Sequence, residues 1–316
     1  MIGRAAAAIA ALLLGGCAAL FTPPQTAALQ ARPPADLPAR VERAAVPFFP
    51  QTRDHCGPAA LATVLADIGM PADPERLADA VFLPSRAGSL QLEMLGGARR
   101  QGAVATRLPR ELQALLHEVA AGHAVIVLQN LGLAFAPRWH YAVVVGYDLV
   151  ERKLILRSGT TQRATLALRT FEYTWARGGH WAIAVLPPDR LPATAGEAEA
   201  LEAAVGFERA APPARAALAY RTLLARWPGN LLGGIGLGNT LSAAGDEAGA
   251  RAAFEAVAQG HDSAVAWNNL ARLRLDAGDR AGARAAAERA VQRAETVEPA
   301  WLTAARDTLA AAVATR

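Results

Sequence analysis

Residues 46–61 read Val46-Pro-Phe-Phe-Pro-Gln-Thr-Arg-Asp-His-Cys-Gly-Pro-Ala-Ala-Leu61. The last six of them open a helix, because a proline in the first turn lacks only an N–H group that would be unpaired there anyway. Cys56 therefore lies at the N-terminus of the predicted helix, where free backbone N–H groups and the helix dipole favour a thiolate. Since the thiolate is the nucleophilic form of cysteine, the sequence predicts that Cys56 attacks a substrate.

A cysteine nucleophile needs a base, and the chain has six histidines. His140 begins the apolar run His140-Tyr-Ala-Val-Val-Val-Gly-Tyr147, which predicts a buried strand. A histidine at the first residue of such a strand points from a rigid frame toward a cleft, so we predict that His140 is the base. His180, at the start of another apolar run, is the alternative.

The residues around this pair predict further strands and helices. The strands are 123–129, 153–157 and 180–186, and the helices are 90–102 and 110–121. A helix followed by an antiparallel sheet predicts an α+β domain, which we assign to residues 45–188.

The same residues resemble the motifs of the C39-like peptidases. Pro50-Gln51 stands ahead of Cys56-Gly-Pro-Ala59, and Trp139-His140-Tyr-Ala-Val-Val-Val-Gly-Tyr-Asp148 follows in the second half of the domain. The resemblance implies a papain-like fold and a cysteine peptidase that cuts a peptide or protein. It also implies that Cys56 is the nucleophile, that His140 is the base, and that the Gln51 side-chain amide helps the Cys56 N–H to hold the oxyanion.

The residue that orients the histidine departs from the family pattern. C39-like peptidases usually carry an acidic residue after the second strand, whereas this chain has Ser158 within Arg157-Ser-Gly-Thr160. Ser158 can accept a hydrogen bond from the imidazole N–H, but a neutral hydroxyl stabilises an imidazolium less than a carboxylate does. The alternative is therefore a catalytically weak adaptor that binds peptides in the same cleft. A cell-wall amidase of the NlpC/P60 group is a third candidate, although its nucleophile usually lies in Asp-Cys-Ser-Gly.

The N-terminus predicts export and lipidation. Residues 1–16 combine one positive charge, an apolar run and small residues, which is typical of a signal peptide and too short for a transmembrane helix. Leu14-Gly-Gly-Cys17 resembles the bacterial lipobox, so Cys17 is the predicted lipid attachment site. Ala18 favours the outer membrane, with the protein facing the periplasm. The prolines within residues 17–44 predict an extended tether.

The C-terminal part, residues 195–316, contains an internal repeat. Gly245-Asp246 and the residues after it recur from Gly278-Asp279, at the spacing of about 33 residues that tetratricopeptide repeats have. We predict an all-α tetratricopeptide-repeat domain that ends in a capping helix over 301–314. Such stacks bind protein partners.

Composition excludes several other functions. The net charge is only +4 and no basic block occurs, so we expect no nucleic-acid partner. Lys153 is the only lysine and no glycine-rich loop precedes it, which excludes a P-loop. The chain has two cysteines and no histidine pair at ligand spacing, so we expect neither a metal nor another cofactor.

Overall fold

A computed structural model describes residues 22–51 and 54–314, and these residues form two compact units. The first unit extends to Leu186 and includes residues 192–195, and the second comprises residues 187–191 and those from Gly196 onward. The predicted signal peptide over 1–16 and the predicted lipidation site at Cys17 lie outside the described residues. Within the described residues, no helix combines the length and the apolar character needed to cross a membrane.

Antiparallel strands in the described part of the first unit form one sheet. They are β1 (Arg40–Glu42), β2 (Val104–Arg107), β3 (Val125–Asn130), β4 (Trp139–Asp148), β5 (Lys153–Ser158), β6 (Thr161–Ala167) and β7 (Ala182–Leu186). Their order is β2-β7-β3-β4-β5-β6, and β1 pairs with the far end of β4. The sequence predicted β3, β4, β5 and β7. It did not predict β1 and β2, which are very short, or β6, whose side chains are mostly exposed.

Helices cover both faces of this sheet. They are α1 (Pro24–Ala31), α2 (Cys56–Asp67), α3 (Pro74–Val81), α4 (Gln91–Arg100), α5 (Leu112–Ala120) and α6 (Leu168–Ala176). Strand β4 sends Tyr141 and Val143 into the core with α2, and Ala142 and Val144 into the core with α5 and α6. Burial on both faces explains why β4 is a continuous apolar run. The predicted α+β fold class is confirmed.

The segment predicted as an extended tether folds onto the first unit from Pro24 onward. Pro24 occupies the first turn of α1, where a missing N–H is tolerated. Glu172, only 1% exposed, accepts hydrogen bonds from Thr26 N and Thr26 Oγ at 2.5 and 2.6 Å and from Gln25 N at 2.9 Å. The prediction of a tether over 17–44 therefore does not hold for residues 24–44. The prolines were interpreted as extended chain, but one of them starts a helix that a distant carboxylate fixes.

The second unit is all-α in its described residues. Its helices are α7 (Glu197–Glu208), α8 (Pro213–Arg226), α9 (Leu231–Ala243), α10 (Glu247–His261), α11 (Ala264–Asp276), α12 (Arg280–Thr296) and α13 (Leu302–Val313). The predicted all-α fold of this part is confirmed.

The repeated Gly-Asp pairs have the same local structure in both copies. Gly245 and Gly278 adopt φ values of 79° and 80°, which favour glycine. Asp246 and Asp279 cap the following helices, because each carboxylate accepts a hydrogen bond from the backbone N–H three residues later at 2.9 Å. The sequence repeat is thus a repeated turn and helix cap.

We predict that Glu172→Ala destabilises the first unit by about 1–3 kcal/mol, because the N–H and hydroxyl donors of Thr26 would stay buried without a partner. Thermal unfolding and limited proteolysis of residues 24–31 measure the effect. Asp79→Ala, which removes an exposed carboxylate, is the matched control and should change stability by less than about 0.5 kcal/mol. Equal stability of the two variants would contradict the role of Glu172.

Candidate functional site

Cys56 is the first residue of α2. The residues at the start of this helix are tightly packed. Cys56 is partly buried and its thiol is free. The next residue, Gly57, has no room for a side chain, because an added Cβ would clash with Ser89 Oγ and lie 3.1 Å from Met94 Sδ. The glycine therefore lets the loop that carries Ser89 pack against the helix start and form a wall beside the thiol.

His140 is the second residue of β4 and pairs with Gln129 of β3. Its Nε2 atom lies 2.8 Å from Oγ of Ser158, the last residue of β5. With a proton on Nε2, the imidazole donates this hydrogen bond and Nδ1 keeps its lone pair. The arrangement leaves Nδ1 as the ring nitrogen that can accept a proton.

The turn after β5 also positions Gln51. Gly159, at φ 58°, directs its carbonyl oxygen at the Gln51 backbone N–H, which donates to it at 3.2 Å. The Gln51 Oε1 atom is buried and has no hydrogen bond to any described residue. One turn therefore holds both Ser158 and the backbone of Gln51.

Arg157, beside Ser158, ties the segment before Gln51 to the sheet. Its guanidinium is buried and donates to the carbonyl oxygens of Ala44 at 2.9 Å, Val46 at 3.0 and 3.1 Å, and Gln162 at 2.7 Å. The chain segment that precedes Gln51 and Cys56 is thus fixed against β5.

Three of the four site residues predicted from the sequence line one cavity of about 720 Å³, a volume within the range of small-molecule pockets. They are Gln51, Cys56 and His140, whereas Ser158 contacts His140 but is not part of the lining. Most of the remaining wall comes from two segments, Arg86–Gln91 and Pro137–Tyr141, with Asp54, Leu128, Leu131 and Gly159.

The charges around Cys56 and His140 favour neutral forms of both. Burial raises the pKa of the Cys56 thiol and the Asp54 carboxylate adds to this, while the backbone N–H groups of Tyr141, Cys56 and Gly57 act in the opposite direction. Burial also lowers the pKa of His140, and Arg138 adds to that effect. At neutral pH the resting pair is a thiol and an uncharged imidazole. The sequence predicted a thiolate at the helix N-terminus, but desolvation outweighs the dipole.

The other histidines have different surroundings. His180 packs edge-on against Trp175 with ring centroids 4.8 Å apart, outside the cavity lining, so the structure does not place this alternative base at the site. His55 stacks on Phe82 at 4.9 Å, His117 Nε2 contacts Asp36 at 2.9 Å, and His123 Nδ1 contacts Glu118 at 2.6 Å. The described residues contain no group of three or more side chains that could hold a metal ion.

Sequence reasoning missed several residues of the site. Asp54 stands in the motif, but its φ of 78° and its effect on the pKa of Cys56 depend on a turn that the motif does not reveal. Arg138 is two residues before His140, a spacing that places both side chains on one side of an extended chain and is a usable signal. Arg86 and Ser89 come from a loop without any motif, and nothing in the sequence marks them.

Residues 43–183 match the model of the Peptidase_C39 like family. The first unit therefore has the C39-like peptidase fold, and the resemblance seen in the sequence is confirmed for this part of the chain. The fold indicates a peptidase or a peptide-binding protein. A comparison with curated proteins finds no match.

Solved structures similar to the chain include C39-like peptidases and TPR domains. A putative C39-like peptidase from Bacillus anthracis is 18% identical, over 46% of this chain and 97% of that one, with a TM-score of 0.39. The peptidase domain of Streptococcus ComA, a bi-functional ABC transporter, is 20% identical, over 45% and 98%, with a TM-score of 0.36. The Sgt2 TPR domain from Aspergillus fumigatus is 19% identical, over 37% and 76%, with a TM-score of 0.34.

We predict that alkylation of Cys56 by iodoacetamide keeps rising with pH well above neutrality, because burial raises the pKa of the thiol and the thiolate forms only at higher pH. Asp54→Asn removes a negative charge and should shift the profile to lower pH. The mass of the peptide that contains Cys56 reports the rate.

Asp79→Asn, an exposed carboxylate outside the cavity lining, is the control and should leave the profile unchanged. A wild-type rate that reaches its plateau at or below neutral pH would contradict a neutral resting thiol.

Proposed function

We propose that this protein is a membrane-anchored cysteine peptidase that cleaves a peptide or protein through Cys56 and His140. The observation that carries the proposal is that both side chains line one cavity in a unit of C39-like fold, with His140 held by Ser158. The second unit, whose helices resemble tetratricopeptide repeats, would bind a protein partner.

The first half of the reaction breaks the peptide bond. His140 Nδ1 takes the proton of the Cys56 thiol as Sγ attacks the carbonyl carbon of the substrate. The tetrahedral oxyanion accepts hydrogen bonds from the Cys56 backbone N–H and the Gln51 side-chain amide. When the intermediate collapses, the C–N bond breaks, the leaving amine takes the proton from His140, and the acyl group stays on Cys56 as a thioester.

The second half releases the acyl group. His140, again neutral, removes a proton from water, and the resulting hydroxide attacks the thioester carbon. The C–S bond then breaks and the thiolate of Cys56 takes the proton back from His140. The product is a carboxylic acid, and both side chains return to their neutral starting forms.

Export and lipidation of Cys17 complete the proposal, with the outer membrane and the periplasm as the proposed location. The lipobox-like residues Leu14-Gly-Gly-Cys17 support it. Helix α1 begins at Pro24 and is fixed to the first unit through Glu172. Pro24 is seven residues after Cys17, so fully extended chain between them reaches at most about 25 Å. A lipid on Cys17 would therefore keep the catalytic unit close to the membrane surface.

A catalytically weak adaptor that binds peptides in the same cavity is the second candidate. Two observations favour it: burial raises the pKa of Cys56, and Ser158 offers His140 a neutral hydroxyl where C39-like peptidases usually have an acid. A neutral thiol and an uncharged orienting group both reduce the driving force for forming the thiolate.

We predict that Cys56→Ala abolishes cleavage of a mixture of proteome-derived peptides, with new termini identified by mass spectrometry. Gln51→Ala should lower kcat by about 10²–10³ while KM changes little, because the amide contacts the oxyanion only in the transition state.

The control is His55→Ala, whose ring stacks on Phe82 outside the cavity lining and which should keep most of the activity. Undiminished cleavage by Cys56→Ala would overturn the proposed function. Peptide binding without cleavage by the wild-type protein would support the adaptor.

A further inference from the structure

Two arginines lie in the lining of the catalytic cavity without an acidic partner. The guanidinium groups of Arg86 and Arg138 form no ion pair within the described part of the chain, and they belong to the two separate wall segments. Asp54 is the one carboxylate among the described residues of the lining. The cavity therefore has an excess of positive charge next to the thiol and the imidazole.

The backbone at Arg138 is fixed by a buried side chain. Asn130, 3% exposed, accepts hydrogen bonds through Oδ1 from the N–H groups of Gly132 and Arg138, each at 2.9 Å. The Leu131 N–H donates to the Arg138 carbonyl at 2.8 Å and closes the base of the loop between β3 and β4. The backbone of Arg138 therefore has a fixed position in the cavity wall.

The backbone at Arg86 is fixed as well. Arg86 ends a 3₁₀ turn, Pro84–Arg86, and its N–H donates to Leu83 O at 2.9 Å. The same loop is bridged from Leu83 to Gly88, and the Tyr141 hydroxyl donates to Ser89 O at 3.2 Å. The second wall is therefore tied to the strand that carries His140.

We propose that Arg86 and Arg138 bind a carboxylate of the peptide substrate close to the scissile bond, so that the enzyme selects acidic peptides. This inference rests on the proposed function and names the substrate class of that same site. A guanidinium matches a carboxylate with two parallel hydrogen bonds. A cleft with an excess of positive charge also concentrates ligands of negative charge. The carboxylate is either an Asp or Glu side chain or the C-terminus of the peptide.

Apolar side chains stand beside the two arginines in the same lining. Leu90, Leu131 and Trp139 are 42%, 46% and 57% exposed, which is high for large apolar residues that belong to a cavity. A substrate that covers them removes apolar surface from water. The carboxylate is therefore expected beside apolar residues rather than within a run of charges.

Binding of a carboxylate also acts on the catalytic pair. The positive charge of Arg138 favours the uncharged form of His140. A substrate carboxylate on Arg138 offsets that charge and makes it easier for His140 to take the proton of Cys56. Acidic substrates should therefore gain in kcat as well as in KM.

The test compares matched peptide sets with the full-length protein. The first set contains peptides with Asp or Glu at one position near the cleaved bond, and the second set has Asn or Gln at the same positions. The third set pairs peptides of identical sequence that have either a free or an amidated C-terminus. Cleavage is measured with the wild type and binding with Cys56→Ala by fluorescence polarisation. Arg86→Gln and Arg138→Gln are the variants, and Arg169→Gln, exposed and outside the cavity lining, is the control. Circular dichroism confirms that each variant is folded.

We expect peptides that carry the recognised carboxylate to be cleaved and bound about tenfold better than the matched peptides in which an amide replaces it. Each cavity variant should remove most of this preference while neutral peptides are still cleaved, and the control should keep it. The set that shows the preference identifies the source of the carboxylate.

Cleavage without any preference for acid would overturn the inference and leave the proposed function intact. An acidic preference in binding, without any cleavage, would support the inference and overturn the proposed function. If the variants and the control share the same preference, the two arginines are not its origin.

Discussion

The buried guanidinium of Arg157 is the interaction on which the site depends. It donates to the carbonyl oxygens of Ala44 and Val46, in the segment that leads to Gln51 and Cys56, and to Gln162 at the start of β6. A buried charged donor that lost these carbonyls would stay unpaired in the core. Because Ser158 follows Arg157 directly, the same anchor sets the distance between the nucleophile segment and the residue that holds His140.

A balance between desolvation and the helix N-terminus sets the state of the thiol. The backbone N–H groups of Tyr141, Cys56 and Gly57 favour the thiolate, as free N–H groups at a helix N-terminus do. Burial of the thiol acts in the opposite direction and is the larger effect, so the pKa of Cys56 is raised.

For the proposed exported enzyme, a neutral resting thiol has a consequence. Oxidation proceeds through the thiolate, so a thiol that stays protonated until substrate arrives is protected in an oxidising compartment. In the proposed reaction, a substrate carboxylate on Arg138 would offset a charge that lowers the pKa of His140.

Local signals made much of this structure predictable. The start of α2 at Cys56 follows from Gly57-Pro58, strands β4 and β5 follow from unbroken apolar runs, and the repeated caps follow from Gly-Asp pairs. These features depend on residues that are neighbours in sequence. The docking of α1 was missed because its partner, Glu172, is far along the chain.

In the candidate site, too, the residues that could be predicted are those marked by local sequence motifs. Cys56 and His140 stand in recognisable motifs, and Ser158 was found because it stands where C39-like peptidases usually carry an acidic residue. The pKa of Cys56 was predicted in the wrong direction, because burial depends on the loop that carries Ser89 and on the turn at Asp54. Neither of these can be placed without the packing of the whole unit.

The claim that Cys56 and His140 act together is tested most directly by trapping the thioester. Wild-type protein is mixed with a peptide that it cleaves, and the reaction is quenched in acid within milliseconds. The protein is then digested, and the fragment that contains Cys56 is analysed by mass spectrometry. If Cys56 and His140 act together, this fragment carries the acyl half of the substrate in the wild type, and His140→Ala shows less cleavage and less adduct. Cleavage that proceeds at the wild-type rate without an adduct on Cys56, or an adduct that forms equally fast in His140→Ala, would contradict this claim.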